Sequence, residues 1–177
     1  ILICRYRNSN MTLQEITDLV LSEENLLNSV YAQVNNISNK NLYIIISSTL
    51  GLCGSYNYNI FDLAKVNITK NDDAIIVGKK ALSFFKNDEF RKIDTFFGYN
   101  SINDESIIRS LCKYVLKSFK NQEYKEVHII YTKYKNSLTF IPIDEKILPL
   151  QGRKLENGYG PILEPSPKLL ADKLVPM

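Results

Sequence analysis

The stretch Asn41–Asn59, NLYIIISSTLGLCGSYNYN, decides the fold of the chain. Its first part, Leu42–Ile46, is an apolar run rich in β-branched residues, which predicts a strand buried on both faces, as in a parallel sheet. Gly51 and Gly54 then permit positive φ or a close backbone approach in a turn. Helical spacing follows at Asn57–Lys65. The stretch therefore predicts the strand, turn and helix that begin a doubly wound α/β domain with a mostly parallel sheet.

Further strands and helices are predicted in the alternation that such a domain requires. The clearest amphipathic helix begins near 101–105 and ends at about Lys120. A polar pair at 136–137 predicts a hairpin between the last two strands. The other predicted elements are strands at Ala74–Val77, Lys92–Phe97, Glu126–Tyr134 and Leu138–Ile143 and a helix at Lys79–Asn87. The predicted apolar face of the amphipathic helix comprises Ile108, Leu111, Cys112, Val115 and Phe119.

Composition narrows the class of protein. The chain has 177 residues, 45% of them hydrophobic, and a net charge of +3, which suits a globular domain and gives no basic stretch typical of a nucleic-acid binder. Its apolar runs are far shorter than the roughly 20 residues that a membrane span needs. Cys4, Cys53 and Cys112 form no CxxC pair, so a reduced, cytosolic setting is predicted.

Three segments are predicted: a helical lead-in over 1–40, an α/β domain over 41–150, and a loop with the start of a helix over 151–177. In the lead-in, Thr12–Glu15 has the pattern of a capping box, and apolar residues follow it at helical spacing. The lead-in is either a pair of amphipathic helices packed on the domain or the end of one long helix. Its predicted apolar stripe is Leu13, Ile16, Val20, Leu27, Val30 or Tyr31, Val34 and Ile37.

Neither phosphate-binding pattern is complete in this sequence. Gly51 and Gly54 supply only G-x-x-G, whereas a dinucleotide site needs G-x-G-x-x-G. Gly78-Lys79 is followed by Lys80, and no glycine stands five positions before Gly78, so a P-loop is absent. The sequence therefore predicts no nucleotide, cofactor or other phosphate ligand bound by this chain, and the two lysines are predicted to be a solvated helix start.

The sequence also lacks the partner residues that a catalytic nucleophile or a metal site would need. Cys53 follows a strand, where nucleophiles can lie, but it would need a base, and His128, the only histidine, falls in the middle of a predicted strand. One histidine and scattered cysteines offer no metal-ligand spacing. The acidic pair Asp72-Asp73 falls in a predicted turn, and the aromatic residues are predicted to form core. No catalytic residue and no metal ligand is predicted.

Four segments resemble the γ subunit of F-type ATP synthases, in the order that the family has them. Gly51–Gly54, GLCG, matches the glycine signature, with Asn57 behind it, and Val77–Phe85 resembles V-G-K-K-G-x-x-F-F. Val127–Leu150 resembles V-x-I-x-Y-x-K-[FY]-x-S with its later E-x-x-L-L-P-L, and Glu164–Pro167 matches the E-P-S-P before the last helix. Together these segments cover about 42–177.

This resemblance implies a Rossmann-like three-layer domain flanked by parts of two terminal shaft helices, both ends belonging to a longer chain. It also implies a non-catalytic rotor subunit of the central stalk, which transmits torque between a ring of alpha- and beta-type nucleotide-binding subunits and the foot of the rotor. Implied partners at the foot are an epsilon-type subunit and the membrane rotor ring. The implied location is cytoplasmic, at the inner face of the cell membrane, without a span of its own and without nucleic acid.

One departure from the family pattern keeps two alternatives open. Thr49 and Leu50 replace the Asp-Arg pair of the signature, whose arginine is thought to reach an acidic segment of a catalytic subunit. Leu50 cannot make that charged hydrogen bond. A γ-like subunit of a specialised F-type-related ATPase, driving another process such as gliding motility, is the alternative. A stand-alone small-molecule enzyme on the same scaffold is the third possibility.

Overall fold

The computed structural model describes residues 30–48, 55–93, 105–136 and 139–150. The chain divides into two compact units, Val34–Pro149 and Ile1–Gln33 together with Leu150–Met177. In the latter unit, the Leu150 N–H donates to the carbonyl of Tyr31 at 2.8 Å. The predicted division into 1–40, 41–150 and 151–177 stays a prediction, because the signature turn, the amino-terminal helices and Glu164–Pro167 lie outside the described residues.

Among the described residues, the unit Val34–Pro149 contains five strands of one sheet, which lie side by side in the order Arg91–Lys92, Asp73–Val77, Leu42–Ile46, Val127–Asn136 and Thr139–Leu148. Central β1, Leu42–Ile46, pairs in parallel with β2, Asp73–Val77, and with β4, Val127–Asn136. The edge strand β3, Arg91–Lys92, continues the parallel arrangement, whereas β5, Thr139–Leu148, returns antiparallel to β4. The prediction of an α/β fold with a mostly parallel sheet is confirmed.

Three helices connect the parallel strands: α1, Tyr56–Asn67; α2, Lys79–Phe84; and α3, Glu105–Lys120. A 3₁₀ turn, Phe85–Asn87, extends α2 to the predicted end. β5 is longer than predicted, since it continues to Leu148, whereas only Lys92 of the strand predicted from there to 97 is strand among the described residues. Within the described ranges, no helix combines the length and the apolar character that a membrane crossing requires.

The central strand β1 is buried on both faces, as its apolar run predicts. Side chains of a strand alternate between the faces, and all of Leu42–Ile45 is at most 5% exposed. One face packs against α1 and α2. The other includes Leu42, Ile44 and the buried Asp73, which accepts a hydrogen bond from Tyr124, just beyond α3. The first face forms the larger cluster, with Tyr43, Ile45, Ile60, Phe61, Ala64, Ala74, Ile76, Phe85, Phe90 and Ile130.

The predicted apolar face of α3 is only partly correct. Val115 and Phe119 are buried, but Ile108 is 44% exposed and Cys112 is also exposed. Ser118 is buried in addition. The packed face of the helix is thus rotated toward Ser118, a shift that the surrounding packing decides and hydrophobic spacing does not reveal.

The predicted helical stripe does not extend through Val34 and Ile37. Both are exposed, and residues 34–40 are not helical. Asn35 explains this: its Oδ1 accepts from the Ile37 N–H at 2.9 Å, while its Nδ2 donates to the carbonyl of Tyr124 at 3.0 Å. Such side-chain bonds to backbone compete with a helix. The lead-in at this point is a non-helical segment that hydrogen-bonds to the loop before β4.

Candidate functional site

Ligands of doubly wound sheets bind at the carboxyl ends of the strands, where the strand order reverses. In this sheet the reversal falls beside β1, whose neighbours are β2 and β4. β1 is followed by Ser47-Ser48 and β2 by Gly78, so these residues form the edge where a ligand would be expected. Thr49, Leu50, Gly51, Cys53 and Gly54 follow directly in the chain and lie outside the described residues.

Asn57 in the first turn of α1 holds the end of β1. Its Oδ1 accepts from the Ser48 N–H at 3.1 Å, and its Nδ2 donates to Ser48 Oγ at 2.9 Å. The Asn57 side chain is nearly buried, because the residue is 8% exposed. One amide thus binds donor and acceptor of the same residue, which fixes the backbone where it enters the glycine turn. Asn57, which follows the glycine signature in the sequence, therefore has a structural role.

Ser47 and Gly78 bring the end of β1 into contact with the start of α2. The Ser47 N–H donates to the carbonyl of Val77 at 2.9 Å, and Ser47 Oγ accepts from the Ala81 N–H at 3.1 Å. Gly78 has φ +105°, and a Cβ built there would lie 2.3 Å from the Ser47 carbonyl oxygen. Only glycine fits both the conformation and the space.

Two N–H groups near the start of α2 already have partners within the chain. An anion site at a helix start relies on unpaired N–H groups, but the Ala81 N–H is already bound to Ser47, and the Leu82 N–H points to the carbonyl of Gly78 at 3.3 Å. Lys79 and Lys80 are exposed, in keeping with a solvated helix start. That this chain binds no nucleotide stays a prediction.

His128 lies between two carboxylates, a partnership that the sequence does not predict. Its Nδ1 is 2.8 Å from Asp144 Oδ1 and its Nε2 is 3.1 Å from Glu126 Oε2. Asp144 also accepts from Asn67 Nδ2, at the end of α1, at 2.5 Å. The ring packs beside Tyr43, with 5.0 Å between the centroids. We call these five residues the histidine cluster; it joins α1 to the β4–β5 hairpin.

Charges in and around the histidine cluster shift the pKa values of its members. Burial raises the pKa of Glu126, but hydrogen bonds from His128 and Lys146 outweigh it and hold that pKa below the usual range. Burial, with the nearby Asp72 and Asp144 carboxylates, raises the pKa of Tyr43 to about 12. With its ring nitrogens bound to carboxylates, His128 is placed for a structural role and has no nucleophile beside it among the described residues.

Asp73 is a buried carboxylate at the amino end of β2, away from the edge that contains Ser47 and Gly78. It is 1% exposed and accepts from Arg91 through two nitrogens, from Lys40 at 3.2 Å, and from the Tyr124 hydroxyl at 2.8 Å. Burial raises the pKa of Asp73, but these hydrogen bonds outweigh it and lower the pKa. The predicted turn at 71–73 is therefore wrong at Asp73, which is a buried strand residue with four donors.

Asp72 does fulfil the turn prediction. Its Oδ2 accepts from the N–H and the hydroxyl of Thr69 at 2.9 and 2.7 Å, and its Oδ1 accepts from the Asn41 N–H at 2.8 Å.

Within the described ranges, no three His, Cys, Asp or Glu side chains are arranged to hold a metal ion. The expectation that aromatic residues form core is wrong for Tyr58, Tyr134 and Phe140, which are 63%, 64% and 46% exposed.

The fold defines a class: a doubly wound α/β domain in which, among the described residues, Ser47, Asn57 and Gly78 are bound within the edge that follows β1 and β2. A family model described as ATP synthase matches residues 4–177. The ATP synthase gamma chain of Mycoplasma capricolum is 32% identical over 165 residues, covering 83% of this chain and 58% of that protein. The ATP synthase gamma chain of Rickettsia canadensis is 31% identical over 159 residues, covering 83% and 55%. The chain belongs to the ATP synthase gamma family.

A solved structure agrees with this fold. The central stalk and c-ring of the mitochondrial ATP synthase of Tetrahymena thermophila contains a chain that matches with a TM-score of 0.50 and 16% identity. The match covers 95% of this chain and 82% of that one. At this identity the likeness concerns the fold alone. The chain spans a little over half the length of the curated relatives described above.

Proposed function

We propose that the chain supplies the globular part of the central-stalk γ subunit of an F-type rotary ATPase. In this role it carries no active site; it transmits torque between a ring of alpha- and beta-type nucleotide-binding subunits and the foot of the rotor. Its partners at the foot are an epsilon-type subunit and the membrane rotor ring, which puts it at the inner face of the cell membrane. The family match over residues 4–177 carries the proposal.

The local structure suits an element that transmits torque. Coupling between distant sites requires packed side chains and rigid elements that keep their shape. Asn57 fixes the carboxyl end of β1, Asp73 fixes the amino end of β2, and the histidine cluster joins α1 to the β4–β5 hairpin. Among the described residues of the carboxyl edge, Ser47, Ser48 and Asn57 are held by hydrogen bonds within the domain, as a rigid mechanical element requires.

A pull-down through a tag on the full-length protein tests the proposal. The native mass of the purified complex and its ATPase activity are measured on the same fraction. A large assembly that contains nucleotide-binding ring subunits and hydrolyses ATP is the expected result. A stable monomer free of ATPase subunits would refute the stalk role and favour a stand-alone enzyme.

The same fraction distinguishes the alternative, a γ-like subunit of a specialised ATPase that drives another process. The replacement of the family Asp-Arg pair by Thr49-Leu50 favours this second candidate, because the charged contact to a catalytic subunit is lost. Membrane-ring subunits in the complex would support the synthase, and their replacement by other proteins would support the specialised machine. A double variant, Thr49→Asp with Leu50→Arg, restores the pair; raised ATPase activity is expected only if the ring keeps its acidic segment.

A further inference from the structure

The exposed face of α3 carries a line of basic side chains. Arg109, Lys113, Lys117 and Lys120 follow each other at intervals of four, four and three residues, and all are exposed. At about 100° per residue they fall within an arc of roughly 80°. They extend over roughly 16 Å of the helix axis. We call this line the basic stripe; the buried side chains of α3 lie on the other side of the helix.

The basic stripe accounts for the charge of the chain. α3 holds these four basic residues and one acidic residue, Glu105, which gives +3 at pH 7 and equals the net charge of the whole chain. Of the 22 basic and 19 acidic residues in the chain, 18 of each sign lie outside the helix. The remainder is therefore neutral, and the excess positive charge of the protein lies on a single helix.

Ion pairs within the described residues do not explain the three lysines of the basic stripe. Like charges three or four residues apart repel one another and destabilise a helix. The helix dipole favours Lys117 and Lys120 in the last turn, but this effect falls off within one turn and leaves Lys113 unexplained. Within the described ranges, no carboxylate lies at ion-pair distance from the three lysines.

We propose that the basic stripe is a docking surface for an acidic segment of a partner protein. A helix that binds a membrane surface exposes a continuous apolar face, whereas Val115 and Phe119 of α3 are buried in the domain and Ile108 is its one exposed large apolar side chain among the described residues. Single-stranded nucleic acid is bound with exposed aromatic rings that stack on bases, and the stripe contains none. Charge complementarity then favours a row of carboxylates. This surface stands independently of the proposed stalk role.

Binding of a fluorescent twelve-residue polyglutamate peptide to the full chain tests this inference. Binding is measured by anisotropy at low and high salt. The double variant Lys113→Glu/Lys117→Glu is compared with Lys79→Glu/Lys80→Glu, which changes the net charge equally on the exposed start of α2. The first variant should weaken binding by roughly tenfold or more, since each exposed charge pair contributes up to about 1 kcal/mol. The control should change it by less than about threefold.

A site-specific readout accompanies these affinities. Cys112 is exposed beside the stripe, and an environment-sensitive dye placed there, with Cys4→Ser and Cys53→Ser, should respond to the peptide. Far-UV circular dichroism verifies that each variant folds. Equal losses in both double variants, or an unresponsive dye, would overturn the proposal. Tighter binding of phosphatidylglycerol vesicles or of oligothymidylate than of the peptide would also overturn it, assigning the stripe to lipid or nucleic acid.

Discussion

Replacement of Asp73 by alanine should destabilise the domain more than any exposed substitution. The change removes the acceptor of the Tyr124 hydroxyl, which is almost fully buried, and the partner of Arg91 and Lys40. The Tyr124 hydroxyl keeps its hydrogen bond with Tyr114, so this part of the cost is that of one lost hydrogen bond to a charged group, about 1.5–3 kcal/mol. The two cations are 65% and 39% exposed, so each pair is discounted to at most about 1 kcal/mol. We expect a loss of about 2–4 kcal/mol in the free energy of unfolding.

The asparagine variant separates the two contributions. Asp73→Asn keeps an oxygen that can accept from Tyr124 but removes the charge, so it should cost about 1–2 kcal/mol. Asp62→Asn, on the exposed side of α1, is the matched control and should change stability by less than about 0.5 kcal/mol. Urea unfolding followed by far-UV circular dichroism measures all three, since the chain has no tryptophan. A loss below about 1 kcal/mol for Asp73→Ala would refute the reasoning.

Acidification provides an independent check of the same charge. The folded state lowers the pKa of Asp73, so the carboxylate contributes its full stability above the unfolded value of about 3.9. That stability is lost as the pH falls through the lower pKa of the folded state. The difference in urea midpoint between the wild type and Asp73→Asn should therefore be largest near neutral pH and shrink on acidification. A difference that stays constant down to acid pH would contradict the assignment.

Three further predictions concern the other contacts. Gly78→Ala should lower stability by about 2–4 kcal/mol because its Cβ meets the Ser47 carbonyl at a positive φ, and a thermal melt near the wild-type value would contradict this. Asn57→Ala should cost about 1–3 kcal/mol through the two lost bonds to Ser48, as measured in urea, whereas Asn59→Ala on the exposed face should be neutral. His128→Ala should cost about 1–3 kcal/mol in the free energy of unfolding through its lost contacts to Asp144 and Glu126, and a urea midpoint equal to that of the wild type would count against the histidine cluster.

Local patterns were sufficient for the positions of most elements. β1 has the predicted bounds, and α1, α2 and α3 agree with their predicted ranges to within a few residues, because apolar spacing and turn residues act over short distances. The family resemblance was also readable, since it depends on short motifs in a fixed order. Strand alternation could have shown that Glu126 and His128 share a face, two residues apart.

The polar clusters depended on register, which no local pattern contains. His128 meets Asp144 only because β4 and β5 pair with His128 opposite Lys146 and Ile130 opposite Asp144. From the sequence alone Asp73 is predicted to lie in a turn. In the structure β3 and the loop after α3 bring hydrogen-bond donors to it from distant parts of the chain.

The sequence by itself determined the α/β class, the positions of the three described helices, and membership of the γ family. Only the tertiary structure decided that Ser47 closes the start of α2, that Asp73 and His128 are satisfied within the domain, and that Cys112 faces outward beside the basic stripe. The physical reason is the distance along the chain over which each interaction acts. Backbone preference and hydrophobic spacing are set by neighbours in the chain, whereas burial of a polar group depends on partners that packing alone brings together.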